Sequence, residues 1–282
     1  MAIVENVNRE FKFTEKDFNN LRKVANSYTG IIVTDDKYDM YYARLVKRLR
    51  LLGLKNFTEY VQYLKNNKAS EFTIFIDAIT TNLTSFFREK HHFEQLKNEV
   101  IPNLSRRTDA ASGIKVWSAG CSTGEEPYSI AMTMLESMHL MSNRLPKLVA
   151  SDIDTTVLKT ASAGIYDISR VEGLDKSIKK RWFVRGKGEK SGLVKISKKL
   201  TDIIEFKQVN LMQSWPHKEK FHIIFCRNVV IYFDRPTKLK LFSRFADQLV
   251  DNGYLILGHS ESLQGLSDQF ETIGKTVYKK VK

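Results

Sequence analysis

Residues 116–132, Val-Trp-Ser-Ala-Gly-Cys-Ser-Thr-Gly-Glu-Glu-Pro-Tyr-Ser-Ile-Ala-Met, constrain the fold more than any other stretch of the chain. A short apolar run ends in a small-residue turn containing Gly120 and Gly124, and Glu125, Glu126 and Pro127 then open an amphipathic helix. Proline suits the first helical turn because the N–H it lacks would be unpaired there anyway. Strand, glycine turn and helix in this order bring backbone N–H groups against a nucleotide-like ligand. A side chain at Gly120 would stand between the backbone and that ligand. The Gly-x-x-x-Gly spacing is a poor match to a dinucleotide fingerprint, and a tight βα turn without a ligand is the plainer alternative.

From about residue 114 the chain alternates strand and helix. Strands are expected at Lys115–Ser118, Lys147–Ala150, Phe221–Phe225 and Tyr254–Leu257, with helices at Tyr128–Met138, Thr156–Ala163 and Pro236–Leu249. This rhythm predicts an α/β fold with a mostly parallel sheet and ligands at the carboxyl ends of its strands. Short alternating runs over 182–206 suggest a small antiparallel insertion, and Phe270–Tyr278 a final hairpin. Residues 14–80 read as all-helical, with a capping-box pattern at Thr14 and Asp17 and helices expected near Thr58–Lys65 and Glu71–Ile79.

Three strand ends therefore carry the chemistry: the Gly120–Gly124 turn, Asp152 about 30 residues on, and Cys226-Arg227-Asn228. An acid ending the second strand can accept both hydroxyls of a ribose. As an alternative, Asp152 could cap the following helix, although Asp154 is better placed for that. A nicotinamide enzyme and an S-adenosylmethionine methyltransferase both fit a glycine turn followed by such an acid. The methyltransferase pattern fits better, with Ser122 replacing the middle glycine and the terminal hairpin supplying a reversed strand.

The formal net charge of +13 is concentrated. Residues 176–200 hold ten Lys/Arg against Glu189 alone, and residues 41–55 hold Arg44, Lys47, Arg48, Arg50 and Lys55 with no acid. On a helix, Arg44, Lys47, Arg48 and Lys55 fall opposite an apolar face of Tyr41, Tyr42, Leu45, Leu49 and Leu52. Such clusters attract polyanions or an acidic protein surface. The two cysteines, Cys121 and Cys226, match no metal spacing and no disulfide framework. The first ten residues lack a signal-peptide pattern. No apolar run approaches the roughly 18 residues of a membrane span. A cytoplasmic, monomeric protein without a metal is the expectation.

Taken together, Asn82-Leu-Thr-Ser-Phe-Phe-Arg88, Trp117 through Ser129, Ala150-Ser-Asp-Ile-Asp154, Phe225-Cys-Arg-Asn-Val-Val-Ile-Tyr-Phe-Asp234 and Gly258-His-Ser-Glu-Ser262 resemble the chemotaxis receptor glutamate methyltransferases, the CheR family. The resemblance spans essentially the whole chain. It implies a class I, Rossmann-like S-adenosylmethionine-dependent methyltransferase with three parts. These are a helical receptor-docking domain over 1–80, a linker over 81–110 that contributes to the cofactor site, and a methyltransferase domain over 111–282. The last carries a β-subdomain insertion at about 165–205.

For individual residues, the resemblance implies that Asn82, Thr84 and Arg88 approach the methionine moiety. Glu126 and Asp152 would hold the adenosine portion beside Gly120, Asn210 and Leu211 would lie along the adenine, and Arg227 and Asn228 would close the site near the sulfonium. Tyr232 would face the reacting centre as a catalytic residue, with Arg88 as the second candidate. The reaction would be methyl transfer to glutamate carboxylates on acidic chemoreceptor helices. Arg44, Lys47 and Arg48 are expected to dock those helices, and Arg185 and Lys195 to match basic positions that grip a receptor's C-terminal tail. Lys195 stands where arginine is more usual, and lysine lacks the bidentate fork. A nucleic-acid methyltransferase and a catalytically silent scaffold are the rival readings. Against the first, Cys226-Arg-Asn-Val is not the Asp/Asn-Pro-Pro-aromatic loop of amino-directed base methylases.

Overall fold

The computed structural model describes residues 9–141 and 144–282. The initial segment, read above for a signal pattern, lies outside them up to Asn8. The chain divides into two compact units. One comprises the residues up to Thr81 with Tyr232–Thr237, and the other Asn82–Ile231 with Lys238–Lys282.

The first unit is helical: α1 (Glu15–Thr29), α2 (Tyr38–Leu52), α3 (Phe57–Asn66) and α4 (Lys68–Ile79). The capping box at the start of α1 forms in full, since Asp17 N donates to Thr14 Oγ1 and Thr14 N to Asp17 Oδ2, each at 3.1 Å. Aromatic side chains fill the core, with Phe13, Phe18, Tyr38, Tyr41 and Phe57 in mutual ring contact or one ring removed. The segment Tyr232–Thr237 joins this unit through Ile32 N, which donates to Tyr232 O at 2.7 Å, and an antiparallel bridge between Ile31 and Phe233.

The second unit is built on ten strands: β1 (Lys115–Ala119), β2 (Lys147–Asp152), β3 (Ile165–Asp167), β4 (Phe183–Arg185), β5 (Leu193–Ile196), β6 (Ile204–Gln208), β7 (Phe221–Cys226), β8 (Leu249–Leu257), β9 (Phe270–Thr272) and β10 (Val277–Lys280). Seven form one sheet in the order β6-β2-β1-β7-β8-β10-β9, parallel except for the terminal β10 and β9. Strand order reverses between β1 and β7, and open α/β sheets bind ligands in the crevice at such a point. The Phe221–Cys226 strand is buried along its whole length, as a central parallel strand should be.

The helices of this unit are α5 (His91–Gln95), α6 (Ile101–Ser105), α7 (Glu125–Glu136), α8 (Thr155–Ala163), α9 (Lys176–Trp182), α10 (Lys198–Thr201) and α11 (Arg235–Gln248). A π turn at Leu96–Val100 joins α5 to α6, whose second residue, Pro102, has no N–H to donate to the preceding turn. Phe93, Leu96, Val100, Ile101 and Leu104 are buried in the unit's core, so most of the segment expected to be a linker is structural. Among the described residues no helix is long and apolar enough to cross a membrane.

Two expectations need correction. The antiparallel insertion is the three-stranded sheet β3-β5-β4, and it ends before β6. Residues 204–208 instead pair in parallel with β2 as the edge of the main sheet. Lys55 does not extend the basic face of α2, because that helix stops at Leu52 and Gly53 adopts the left-handed conformation.

Candidate functional site

The turn after β1 is backbone geometry that side chains rarely allow. Gly120 has φ +90°, and a Cβ there would lie 2.4 Å from Val229 Cγ2. Gly124, at φ +99°, is the residue from which α7 starts. Ser122 stands between them at φ 50°. Its N–H donates to Asp152 Oδ2 at 2.8 Å, which ties the first strand end to the second. Asp152 Oδ1 accepts from Asp154 N at 3.0 Å. The helix cap is Asp154, which accepts from Thr156 N at 2.8 Å and Val157 N at 3.1 Å. Asp152 is therefore committed to the strand end, and burial pushes its carboxyl up to about 6.

The third strand end meets the first through charge. Arg227, only 5% exposed, directs Nη1 to Glu126 Oε2 at 3.1 Å and Nη2 to Glu89 Oε2 at 3.2 Å. Its Nη2 also donates to Arg88 O. Ser118 Oγ donates to Glu126 Oε1 at 2.7 Å. Burial pushes the Glu126 carboxyl above the usual carboxylate range, although Arg227 and Ser118 oppose the shift. For Glu89, burial is outweighed by hydrogen bonding from His259 and the charge of Arg227, which hold it at about 2.

Asn82 Nδ2 donates to Asp154 Oδ2 at 2.8 Å, and Asn82 O accepts from Ser122 Oγ at 3.1 Å, so the segment before Arg88 is sewn to the glycine turn. Thr84 contributes its carbonyl to Arg170 at 2.9 Å, and half-buried Arg88 donates to Leu83 O at 2.8 Å. Asn210 Oδ1 accepts from Met212 N at 2.9 Å and shapes the loop that leaves β6, where Asn210 and Leu211 are both buried. The structure thus brings Asn82, Gly120, Asp152 and their neighbours into one bonded network, and Glu126 into a second with Arg227. Tyr232 belongs to the helical unit and is half-buried there. Cys121 is fully buried and its thiol is pushed up by burial, which fits a core packing role.

The basic residues divide. Arg48 forms a bidentate pair with Glu71, which is 1% exposed, through Nε at 2.8 Å and Nη2. Arg44 caps the end of α4 by donating to Thr80 O. Lys47 is the exposed member of the three. Of the three basic residues that helical periodicity places on one face, the two arginines are thus engaged inside the helical unit. Arg185 and Lys195 are exposed on β4 and β5, and Lys195 lies beside Ile165 and Val184 in register.

Two acids escaped the sequence reading. Glu89 gathers Arg227, Asn228 Nδ2 at 3.4 Å, and the backbone N–H and ring Nδ1 of His259 at 3.0 and 2.8 Å. Glu261 accepts from the backbone N–H groups of Asn228, Val229, Ile231 and Gly258, at 2.8, 2.9, 3.2 and 2.6 Å. That cage holds Asn228 at φ 58°. Their presence within the motifs at 82–88 and 258–262, or directly beside them, was the available signal.

Comparison with known proteins gives the same assignment for both units. The family described as CheR methyltransferase, SAM binding domain, matches residues 82–279, and the CheR methyltransferase all-alpha domain matches residues 16–80. The chain is 41% identical over 272 residues to chemotaxis protein methyltransferase 2 of Pseudomonas aeruginosa, covering 96% of this chain and 95% of that protein. It is 40% identical over 279 residues to the chemotaxis protein methyltransferase of Salmonella typhimurium, covering 98% and 94%. The corresponding protein of Borreliella burgdorferi is 38% identical over 278 residues, with 97% of each chain covered.

The residues present fit S-adenosylmethionine. A buried carboxylate ends β2 with lone pairs left over beyond its two backbone donors, and the glycine turn offers close backbone approach. The chain belongs to the CheR methyltransferase family, the S-adenosylmethionine-dependent methyltransferases of chemotaxis.

Proposed function

We propose that this enzyme esterifies glutamate side chains of bacterial chemoreceptors. The observation that carries this reading is the joining of the glycine turn to Asp152 through Ser122, at the strand ends of a chain that matches this family over residues 16–80 and 82–279. In the proposed site Asp152 holds the ribose, Glu126 supports the adenosine side from its pair with Arg227, and Asn210 and Leu211 flank the adenine. Asn82, Thr84 and Arg88 hold the methionine end, with Arg227 and Asn228 closing the site. S-adenosylmethionine, when bound, supplies a methyl group on a positively charged sulfur.

A glutamate carboxylate has an ordinary pKa near 4.3 and is ionised at neutral pH. The chain therefore needs no general base. Its work is to align the attacking oxygen and exclude water, and alignment alone can contribute on the order of 7–11 kcal/mol. Tyr232 suits the task of orienting that oxygen, because a neutral hydroxyl donates without neutralising it. An arginine on the same oxygen would blunt it, so Arg88 is assigned to the methionine carboxylate.

The helical unit is the proposed reader of the acidic receptor helix. Lys47 supplies the exposed charge, while Arg44 and Arg48 shape the surface from within. Arg185 and Lys195 are proposed to meet a receptor tail at the three-stranded sheet, where edge pairing would add a strand. Incubation with labelled S-adenosylmethionine, receptor-containing membranes and nucleic acid tests the class of substrate. Label in protein is expected. Label in RNA or DNA contradicts the proposal, and no label anywhere supports a silent scaffold.

A further inference from the structure

Arg244 stands half-buried on α11 with no carboxylate within ion-pair distance among the described residues. Burial pulls the pKa of its guanidinium down, and no neighbouring acid opposes the shift. A cation so placed must find other partners for its N–H groups. Both arms of its fork are spent on one short loop, because Nη1 donates to Leu211 O and Nη2 to Gln213 O. The guanidinium also lies over the Trp215 ring, 3.9 Å from its centroid. Trp215 is itself fixed, stacked on Phe245 at 5.2 Å and edge-on to Trp117 of β1 at 4.8 Å.

The loop held in this way is the one that leaves β6 and carries Asn210 and Leu211. Its peptide between Leu211 and Met212 is gripped at both ends. The carbonyl accepts from Arg244 and from Trp215 Nε1 at 3.3 Å, and the N–H donates to Asn210 Oδ1 at 2.9 Å. Gln213 N donates to Asn210 O at 3.0 Å, and Val209 N to Asp152 O at 3.0 Å, so the loop is also tied to the end of β2. Arg244 and Trp215 lie outside every motif read from the sequence. A loop ordered before its ligand arrives loses less freedom on binding and so binds more tightly.

We propose that Arg244, braced by Trp215, is a positioning residue that orders the loop of Asn210 and Leu211 for the adenine of S-adenosylmethionine. This rests on the placement of adenine proposed above. The purine is unchanged as the methyl group moves, so the loop contributes equally to the ground and transition states. Loss of the clamp therefore raises KM for S-adenosylmethionine and leaves kcat alone.

The test measures binding of S-adenosylhomocysteine and of 5′-methylthioadenosine to the full chain by calorimetry, beside methylation kinetics. The second ligand has the adenosine without the methionine end. Arg244→Met removes the fork and should weaken both ligands about tenfold, with kcat at saturating S-adenosylmethionine within about twofold of the wild type. Arg244→Lys keeps the charge without the planar fork and should lie between the two. Should Arg244→Met fail to fold, Trp215→Phe keeps an aromatic ring without the N–H, and it should weaken both ligands by a common factor with kcat held. Leu211→Ala reports on the adenine placement itself. If Leu211→Ala weakens both ligands and the folded clamp variants weaken neither, the clamp is overturned and the placement stands. If none of these variants weakens either ligand, the placement fails and the clamp falls with it. A fall in kcat without a rise in KM also overturns the proposal. Binding is read without a receptor, so its outcome is independent of which substrate is methylated.

Discussion

Arg227 and Glu126 form a buried ion pair at 3.1 Å, with side-chain exposures of 2% and 11%. It locks the polar end of the central strand to the first turn of the glycine-loop helix. Removing one partner of such a pair strands the other charge in a poorly hydrated site, at a cost of roughly 3–5 kcal/mol. Arg227→Ala is expected to lower the melting temperature and to abolish binding of S-adenosylhomocysteine by calorimetry. Arg227→Lys should recover part of the stability and little of the binding, because lysine cannot reach Glu126 and Glu89 through a planar fork.

The raised pKa of Asp152 gives two opposed pH dependences. Folding favours its protonated form, so its contribution to stability is full below the ordinary value of 3.8 and is lost as pH rises through about 6. Ribose binding in the proposed site uses the ionised carboxylate. Cofactor affinity should therefore rise with pH through about 6 in the wild-type chain and stay flat in Asp152→Asn. At neutral pH that variant should bind at least tenfold more weakly, about 1.4 kcal/mol. Isothermal titration with S-adenosylhomocysteine across this range checks both.

Much of the fold was legible because the parallel strands are short apolar runs that end in polar residues, as at Phe225-Cys226-Arg227-Asn228. The alternation Ile204-Glu-Phe-Lys-Gln misled, because an edge strand of the main sheet is half-exposed and has the same period as an antiparallel hairpin. Helical periodicity put Arg44 and Arg48 on one face but could not show that α4 answers that face with Glu71 and its terminal carbonyls. Glu89 adopts φ 57°, a conformation that no local sequence pattern announces for glutamate, and its partners come from residues 227 to 259.

The divided basic face of α2 predicts divided phenotypes. Arg48→Ala leaves Glu71 buried beside the Tyr60 hydroxyl, 3.0 Å away, and should destabilise the helical unit by roughly 3–5 kcal/mol. Lys47→Glu, on an exposed residue, should leave the stability within about 0.5 kcal/mol of the wild type while slowing receptor methylation. Thermal denaturation beside initial rates separates the two.

Gly120→Ala places a methyl group 2.4 Å from Val229 Cγ2 at φ +90°, so strain and overlap combine. The expected cost is about 1–3 kcal/mol, with loss of cofactor binding. A chemical denaturation midpoint equal to the wild type would show that the turn has relaxed.

Tyr232→Phe keeps the ring and removes the hydroxyl assigned to the attacking oxygen. Turnover should fall by up to about 10²-fold, the scale of a misplaced reacting atom, while S-adenosylhomocysteine affinity changes less than twofold. A comparable loss in affinity would reassign the residue to cofactor binding.

The central claim concerns the bond that is made. The chain should be incubated with S-adenosylmethionine and a purified cytoplasmic fragment of a chemoreceptor. Tandem mass spectrometry then locates the added methyl groups, and mild alkali tests their release as methanol. The account predicts alkali-labile methyl esters on glutamate side chains, formed much more slowly when Asp152→Asn replaces the wild-type enzyme at limiting cofactor. Alkali-stable methyl groups on nitrogen, or no methyl groups on the receptor fragment, would contradict it.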